Sequence, residues 1–310
     1  MKVAVAGGAG FLGSHLCDRL ISRDDAVVVL DDLSTGDLKN LEHHQASSSL
    51  EFILVDVSIQ IPLERGVDVV VNMASPASPL AYLSRPLETL AVGSEGTRHL
   101  LECAMRVGAR FVHASTSEVY GDPLVHPQLE DYWGNVNPIG PRSVYDESKR
   151  FAESLVMAHH RTLGTNVGIA RIFNTYGPRL SVGDGRVVSN FIIQALHGEP
   201  LTVYGDGSQT RSLCYVDDTV AGLLAIMDCD VTGPVNIGNP DEISILDLAR
   251  RVIDLTGSSS TVEFAQLPVD DPVRRQPDIE LAYRILGWKP TVGLDVGLLR
   301  TIQYFEGIVV

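Results

Sequence analysis

Three glycines stand between an apolar run and a helix-forming run at the start of the chain, and this arrangement constrains the fold more than any other stretch. Lys2 to Ala6 is predicted as a short buried strand, and a helical run extends from Ser14 to about Arg23. Gly7, Gly10 and Gly13 lie between them. Glycines at this spacing permit a tight turn, close approach of the backbone to a pyrophosphate, and close packing of the helix on the strand. The helix N-terminus adds amide hydrogens and the positive end of its dipole, so the unit is predicted to bind a dinucleotide.

A second strand, Ala26 to Leu30, ends at Asp31, about twenty residues after the glycine loop. A carboxylate at this position can hold the adenosine ribose, and it disfavours a 2′-phosphate. We therefore expect NAD rather than NADP as the cofactor. The residues predicted to bind it in this first unit are Gly7, Gly10, Phe11, Leu12, Gly13, Asp31 and Asp32.

Strand and helix patterns continue to alternate after this unit. Further strands are predicted near 51–55, 67–72 and 109–114, each apolar enough for a parallel sheet covered on both faces. The stretch 57–66 is short and contains a proline, so an irregular connection is expected there. The pattern predicts an α/β fold, a Rossmann-type doubly wound parallel sheet (residues 1–175) with a smaller C-terminal α/β substrate lobe (mainly 176–310).

The residues that follow two of these strands lie at the sheet edge where open α/β sheets bind ligands. Asp56 and Val57 close the third strand, and Met73, Ala74 and Ser75 close the fourth. We predict that these five residues contact the cofactor, although core packing alone would explain Met73.

Tyr145 and Lys149 are four residues apart at the start of a probable helix and therefore share one helical face. A cation beside a tyrosine stabilises the phenolate and is expected to lower its pKa, which would make the pair a base toward an alcohol. An ordinary amphipathic helix would explain the spacing equally well in isolation. Thr116 and Glu118, which directly follow the fifth strand, add polar groups at the same edge.

The formal net charge of −15 argues against nucleic acid as a partner, because no cluster of lysine and arginine supplies a basic face. The four cysteines have no metal-type or redox spacing, so free thiols and no metal are expected. The sequence contains no long apolar run and begins without the pattern of a signal peptide, which favours a cytoplasmic protein without a membrane segment.

Several longer motifs resemble the extended short-chain dehydrogenase/reductases and, more closely, the UDP-glucuronate decarboxylases. The glycine loop and the Tyr-x-x-x-Lys pair mark only the superfamily, whereas the block from Tyr132 to Arg142 is similar to the decarboxylases in particular. The matching stretches are ASPASP (74–79), STSEVYGDP (115–123), DYWGNVNPIGPRSVYDESKR (131–150), RIFNTYGPR (171–179), DGRVVSNF (184–191), LTVYGDGSQTR (201–211) and 277–279.

This resemblance implies catalytic roles for Tyr145, Lys149, Thr116, Glu118 and Arg275. Tyr145 would act as base toward the sugar 4-hydroxyl, Lys149 would bind the nicotinamide ribose, and Thr116 would bind the reacting oxygen. Oxidation at C4 by bound NAD would give a β-keto acid, which loses carbon dioxide before C4 is reduced again. The implied product is UDP-xylose, with the cofactor regenerated in the cycle.

The resemblance also implies a pocket for UDP-glucuronate or a related UDP-sugar in the second half of the chain. The residues expected around the substrate are Asn174, Arg186, Val187, Tyr204, Gln209, Arg211 and Arg275. In a chain this acidic, local arginines are needed to hold a diphosphate and a carboxylate.

The family commonly forms homodimers through two helices per subunit, here about 87–107 and 145–163. Leu100, Leu101, Leu155 and Val156 are candidates for that contact, with intramolecular packing as the alternative. The chain departs from the family pattern at Asn72, Gly93 and Ser148, where histidine, asparagine and glycine are usual. Gly93 is the departure expected to weaken cofactor retention.

Other activities remain open on the same scaffold. A sugar-nucleotide 4-epimerase is compatible with these motifs, and a 4,6-dehydratase is disfavoured because its usual Asp-Glu pair is replaced by Ser117 and Glu118. An enzyme that releases the 4-keto pentose, or a non-catalytic NAD-binding interaction protein, is a further alternative.

Overall fold

The computed structural model describes residues 1–63, 65–266 and 274–309. In chain order, its strands are β1 (Lys2–Ala6), β2 (Ala26–Asp31), β3 (Leu50–Leu54), β4 (Val69–Asn72), β5 (Arg110–Thr116), β6 (Val167–Ile172), β7 (Thr175–Tyr176), β8 (Leu201–Tyr204), β9 (Thr210–Ser212), β10 (Cys214–Tyr215), β11 (Pro234–Ile237), β12 (Glu242–Ser244) and β13 (Val262–Ala265). The helices are α1 (Phe11–Ser22), α2 (Pro79–Ser84), α3 (Pro86–Ala91), α4 (Thr97–Val107), α5 (Ser143–Leu163), α6 (Val187–His197), α7 (Val216–Met227), α8 (Ile245–Thr256), α9 (Glu280–Leu286) and α10 (Leu294–Val309). Two 3₁₀ helices (Leu38–His44 and Ser117–Tyr120) and a π-helical turn (Val92–Gly96) complete them.

Seven strands form one parallel sheet in the order β11-β6-β5-β4-β1-β2-β3. The strand order reverses between β1 and β4, and this is the position at which doubly wound sheets bind ligands. The predicted fold class is therefore confirmed. The connection between β3 and β4 contains no helix in its described residues, also as predicted.

Side chains of alternate residues along β1 enter two cores, one on each face of the sheet. Val3 and Val5 belong to the larger core, which includes residues of α1, α7 and the C-terminal half, whereas Ala4 and Ala6 face α4 and α5. This two-sided burial explains why the central strands are almost continuously apolar.

The C-terminal half packs into the larger core rather than forming a separate one. α6, α8 and α10 contribute Phe191, Leu248 and Phe305, all of which are almost fully buried. β11 returns to the central sheet beside β6. The sequence patterns did not predict α9 or the three two-stranded pairs β7–β10, β8–β13 and β9–β12.

The helix predicted over 87–107 is divided into α3, the π-helical turn and α4. Gly93 lies in that turn, where a Cβ atom would come within 2.5 Å of the Ser148 Cβ on α5. The turn thus lets α5 cross very close to this segment. The described residues contain no helix that is both long and apolar enough to span a bilayer.

The interpretation of three candidate dimer residues was wrong. Leu100, Leu101 and Val156 have 0% exposed surface and lie in the core between the sheet and helices α4 and α5. Leu155 is half-buried against the same core. These apolar residues therefore stabilise the subunit, since a fully buried side chain has no surface left for a partner.

Candidate active site

The glycine loop has the shape needed for close contact with a dinucleotide. Gly7 has φ +79°, and a Cβ atom at this residue would be 2.8 Å from the Ala74 nitrogen. At Gly13 a Cβ atom would be 2.1 Å from the Gly7 oxygen. α1 begins directly after Gly10, which provides no side-chain cap, so first-turn amides point toward the loop without an intrahelical partner. The loop thus fits a pyrophosphate, and side chains are excluded from it by the backbone itself.

Asp31 ends β2 beside this loop, with only 7% of its surface exposed. Its two carboxylate oxygens accept hydrogen bonds of 2.9 Å from the backbone amides of Ala9 and Leu33. Burial raises the pKa of Asp31, and the two amide hydrogen bonds oppose that rise. The arrangement orients the carboxylate at the edge of the loop, whereas the neighbouring Asp32 is exposed and caps Ser34.

The other strand-end residues occupy two kinds of environment. Met73 and Ala74 lie directly against Gly7, so the ends of β1 and β4 meet at the point where the strand order reverses. The Asp56 carboxylate accepts hydrogen bonds from the backbone and hydroxyl of Ser58. Val57 is 4% exposed and belongs to the smaller core, so it offers mainly its backbone to a ligand.

Tyr145 and Lys149 are both buried on the first turns of α5. The Lys149 Nζ donates a 2.9 Å hydrogen bond to the Ala114 carbonyl oxygen at the end of β5, and it lies 5.9 Å from the centroid of the Tyr145 ring. The Tyr145 ring stacks on that of Tyr82, with centroids 5.2 Å apart and planes 9° from parallel. The phenol and the ammonium are therefore fixed in position by packing and by β5.

The direction expected for the Tyr145 pKa was wrong. Burial, followed by the charge of Glu118, raises the pKa of Tyr145 to about 12, whereas the hydrogen bond with Thr116 and the charge of Arg186 act in the opposite direction. Burial also lowers the pKa of Lys149 to about 8. The sequence argument counted the neighbouring cation but not the desolvation of both groups, which dominates here.

Thr116 and Glu118 lie at the end of β5, as their position in the sequence predicted. The Thr116 hydroxyl oxygen accepts a 3.2 Å hydrogen bond from the Glu118 amide and caps the short 3₁₀ helix that begins at Ser117. The hydroxyl of the same threonine also acts on Tyr145, because it lowers the pKa of the phenol. The end of β5 therefore carries both the Thr116 hydroxyl, which acts on the Tyr145 phenol, and the Glu118 carboxylate.

Arg275 comes from the far end of the chain and binds Glu118 through both terminal nitrogens. One contact is a 2.9 Å bond from Nη2 to Oε2, and the second joins Nη1 to Oε1. Arg275 is 3% exposed and also donates to the Gly121 carbonyl oxygen. The adjacent Gln276 exchanges backbone and side-chain hydrogen bonds with Gln128, which anchors this C-terminal segment over the site.

A second arginine reaches the same carboxylate: Arg142 donates a 2.7 Å hydrogen bond from Nη2 to Glu118 Oε2. Burial alone would favour the neutral acid, but the charges of Arg275 and Arg142 outweigh it and lower the pKa of Glu118 to about 2. Glu118 is therefore an anion held by two cations. The Nε of Arg275 is buried and has no hydrogen-bond partner in the described part of the chain.

Sequence reasoning did not single out Tyr82, Arg142 or Asp146. Asp146 is buried, and burial followed by the Glu118 charge raises its pKa to about 7. Its Oδ1 has no hydrogen-bond partner among the described residues, and neither has the buried hydroxyl of Tyr82. Arg142 and Asp146 are four residues apart and adjoin the Tyr-x-x-x-Lys motif, and this position could have marked them as site residues. Nothing in the sequence pointed to Tyr82.

The residues predicted around the substrate lie in two segments. Arg186 directly precedes α6, whose first residue is Val187. The positive charge of Arg186 lowers the pKa of Tyr145. Tyr204 ends β8 with 44% of its surface exposed, and its carbonyl oxygen accepts a 2.7 Å hydrogen bond from Gln209.

The two remaining residues of that set flank this region. Arg211 lies in β9, which pairs with β12. Asn174 is half-buried between β6 and β7. The roles of these two residues stay predictions.

The fold and this site together define an enzyme of the dinucleotide-dependent sugar-nucleotide class. The family model for the NAD dependent epimerase/dehydratase family matches residues 3–238, and the chain belongs to this family. Its cofactor is NAD, and the glycine loop beside Asp31 fits that molecule.

Within the family, the chain is similar to curated UDP-glucuronic acid decarboxylases. It is 52% identical to UDP-glucuronic acid decarboxylase 2 of Arabidopsis thaliana over 306 residues, which cover 99% of this chain and 68% of that protein. It is also 52% identical to UDP-glucuronic acid decarboxylase 1 of Xenopus tropicalis, over 98% of this chain and 72% of that protein. The resemblance identified from the motifs is thus confirmed.

Solved structures with the same fold include two epimerases. The UDP-glucuronic acid 4-epimerase of Bacillus cereus, in complex with UDP-glucuronic acid and NAD, is 30% identical, with a TM-score of 0.90 over 99% of this chain and 100% of that one. The UDP-glucose 4-epimerase of Thermotoga maritima, with UDP-glucose, is 29% identical, with a TM-score of 0.91 over 99% of each chain.

Proposed function

We propose that this protein is an enzyme that decarboxylates UDP-glucuronate to UDP-xylose with NAD as a regenerated cofactor. The observation that carries this proposal is the buried Arg275, held on Glu118 beside Tyr145 and Thr116. A site for a neutral hexose would not need a buried arginine at this point, whereas the carboxylate of a uronate requires a cation. The similarity to curated UDP-glucuronic acid decarboxylases over nearly the whole chain supports the same reaction.

Tyr145 accepts the proton of the sugar 4-hydroxyl, and Thr116 hydrogen-bonds the same oxygen. NAD, held by the glycine loop beside Asp31, would supply the hydride acceptor and donor for C4. Lys149 and Arg186 provide the positive charge that offsets the cost of a buried phenolate. Because burial raises the pKa of Tyr145 to about 12, its deprotonation depends on groups that lower this value, such as Thr116 and Arg186.

Glu118 and Arg275 act at C5. Once C4 is a ketone, the C5 carboxylate belongs to a β-keto acid, whose C–C bond breaks with release of carbon dioxide. The bonding electrons pass to the C4 carbonyl oxygen, and C5 of the resulting enolate takes up a proton. Arg275, held on Glu118, contributes the positive charge that binds the carboxylate.

The substrate's nucleotide is held by the loops of the C-terminal half. Arg186, Arg211 and Asn174 bind the diphosphate and uracil, while Val187, Tyr204 and Gln209 contribute packing and hydrogen bonds. Planar guanidinium groups suit phosphate oxygens, and the net charge of −15 makes such local cations necessary.

The active form is a homodimer, and α3 and α5 are the surface that supports it. Leu87 and Phe151 on these two packed helices are 75% and 51% exposed. Phe151→Glu would place a charge in the interface, so it is expected to convert the dimer to a monomer in sedimentation measurements. An unchanged sedimentation coefficient would rule out this surface. The four free cysteines favour a reducing compartment, and the cytoplasm is the proposed location.

The decisive experiment incubates the purified chain with UDP-glucuronate and NAD and follows the sugar by proton NMR, with carbon dioxide measured in parallel. We expect UDP-xylose and an equimolar amount of carbon dioxide. UDP-galacturonate without carbon dioxide would instead identify a 4-epimerase, and accumulation of a 4-keto pentose with reduced cofactor would identify a releasing enzyme. If the folded protein binds NAD but leaves every UDP and dTDP sugar intact, the catalytic proposal is wrong.

A further inference from the structure

Two adjacent histidines converge on one carboxylate oxygen at a position outside the active site. The Nε2 atoms of His43 and His44 each lie 2.8 Å from Oδ1 of Asp18. Their rings are side by side, with centroids 4.1 Å apart and planes 44° from parallel. Neighbouring residues of a helix normally point their side chains in different directions, so this convergence is unusual.

The three donor atoms match the ligand set of a transition-metal ion. All of them lie within 4.8 Å of one another, and no other such group occurs in the described ranges 1–63, 65–266 and 274–309. With zinc–ligand distances of about 2.0–2.1 Å, tetrahedral ligand atoms stand ~3.3 Å apart. Opening the observed 2.8 Å contacts by about half an ångström would therefore admit the ion, with each proton moved to Nδ1.

We propose that Asp18, His43 and His44 form a zinc site with a fourth position open to water. His43 retains 46% of its side-chain exposure, whereas His44 retains 16%, so the site is reachable from solvent. Imidazole and carboxylate ligands suit zinc among the divalent ions. The sequence argument weighed only the cysteines and did not consider residues 25 positions apart.

Arg179 limits the affinity of this site but does not block it. Its Nη2 lies 2.8 Å from the second carboxylate oxygen of Asp18, Oδ2, and leaves Oδ1 to the histidines. The guanidinium repels a second cation nearby. We therefore expect weaker binding than at a closed structural site with four protein ligands.

The site would fasten the 3₁₀ helix Leu38–His44 to α1, the helix that follows the dinucleotide loop. The start of this 3₁₀ helix is already tied to that loop, because the Asp37 amide and the Asn40 side chain both donate hydrogen bonds to the Ala9 carbonyl oxygen. Ala9 in turn donates to Asp31. An ion shared by Asp18 and the two histidines would thus stabilise one wall of the predicted ribose site.

The test is calorimetric titration of the full chain, first freed of metals by a chelator, with Zn²⁺ alone. We expect one equivalent to bind, and His43→Ala and His44→Ala each to weaken binding by about tenfold or more, since even an outer-shell change costs 10- to 100-fold. Asp18→Asn is expected to do the same. Zn²⁺ should also raise the melting temperature of the wild type but not of the double histidine variant.

The matched control is His159→Ala/His160→Ala, which removes the other adjacent histidine pair, at the end of α5. This control should bind Zn²⁺ like the wild type. Equal binding by the wild type and by His43→Ala/His44→Ala would overturn the proposal, as would absence of binding to the wild type. His43 is largely exposed, so its variant is expected to fold, which circular dichroism checks.

Discussion

Glu118 and Arg275 form a two-point ion pair although 157 positions of chain separate them. Arg142 adds a third contact to the same carboxylate. The pair joins the end of β5 to the C-terminal segment and lies beside the phenol of Tyr145. It therefore links the stability of the fold to the chemistry that we assign to C5.

Replacing Arg275 should separate NAD binding from decarboxylation. Arg275→Ala is expected to retain NAD binding, because the glycine loop and Asp31 do not depend on it, but to lose carbon dioxide release. The buried Glu118 loses its main partner, so unfolding free energy should also fall by about 3–5 kcal/mol. NAD fluorescence titration, carbon dioxide release and urea unfolding measure the three effects. Normal decarboxylation by this variant would show that Arg275 does not act at C5.

The Glu118–Arg275 pair should make the unfolding free energy depend on pH in the acidic range. The pKa of Glu118 is about 2 in the folded chain against an ordinary 4.5, so the folded state binds fewer protons than the unfolded state between these values. The stabilisation is present in full above about pH 4.5 and is lost as the pH falls toward 2. Urea unfolding of wild type and Glu118→Gln should give a difference that shrinks over this range. A difference independent of pH would contradict the low pKa.

Tyr145→Phe should abolish turnover without unfolding the site. Removing a general base typically costs 10²- to 10⁴-fold, and the phenylalanine ring can still stack on Tyr82. NAD affinity should change little, since Lys149 remains bonded to Ala114. Initial rates and NAD titration test both points, with Tyr283→Phe as an exposed control. Wild-type rates in Tyr145→Phe would show that Tyr145 is not the base.

A glycine at residue 93 should be required for stability and activity, because the Ser148 side chain leaves no room for a larger residue. A methyl group at residue 93 would approach the Ser148 Cβ to 2.5 Å and push α5 at the turn that carries Tyr145 and Lys149. We expect Gly93→Ala to lose about 1–3 kcal/mol of stability and most of the activity. Gly93→Ala/Ser148→Gly should recover much of both, even though a helical glycine itself costs roughly 1 kcal/mol.

Gly233→Ala serves as the control for this pair, because a Cβ atom there meets only open space. Unfolding free energies and kcat of the wild type, Gly93→Ala, Ser148→Gly and Gly93→Ala/Ser148→Gly form a double-mutant cycle. Strictly additive losses would mean that the two residues act independently and that the close crossing does not position the tyrosine. A coupled result would explain how the chain tolerates both departures from the family pattern.

Local signals predicted much of the scaffold correctly. The glycine spacing, the apolar strand runs and the carboxylate at Asp31 each depend on backbone geometry over a few residues, so short stretches of sequence carry them. The same holds for Thr116 and Glu118, which follow a strand whose end had to reach the ligand edge of the sheet. The roles assigned to individual residues of the substrate pocket stay predictions.

Properties that depend on burial or on distant partners were predicted less well. Leu100, Leu101 and Val156 have the pattern of an interface, but the fold places them in the core. The pKa of Tyr145 is raised, opposite to expectation. Periodicity indicates which residues share a helical face but not how far burial removes that face from water.

The sequence by itself determined the parallel α/β fold, the dinucleotide loop and the i, i+4 pairing of Tyr145 with Lys149, because these follow from local periodicity and glycine stereochemistry. Only the tertiary structure decided that Arg142 and Arg275 share the Glu118 carboxylate, and that His43 and His44 meet Asp18. The physical reason is that charge–charge contacts and desolvation depend on three-dimensional distance. Chain folding sets that distance, and spacing along the sequence does not encode it.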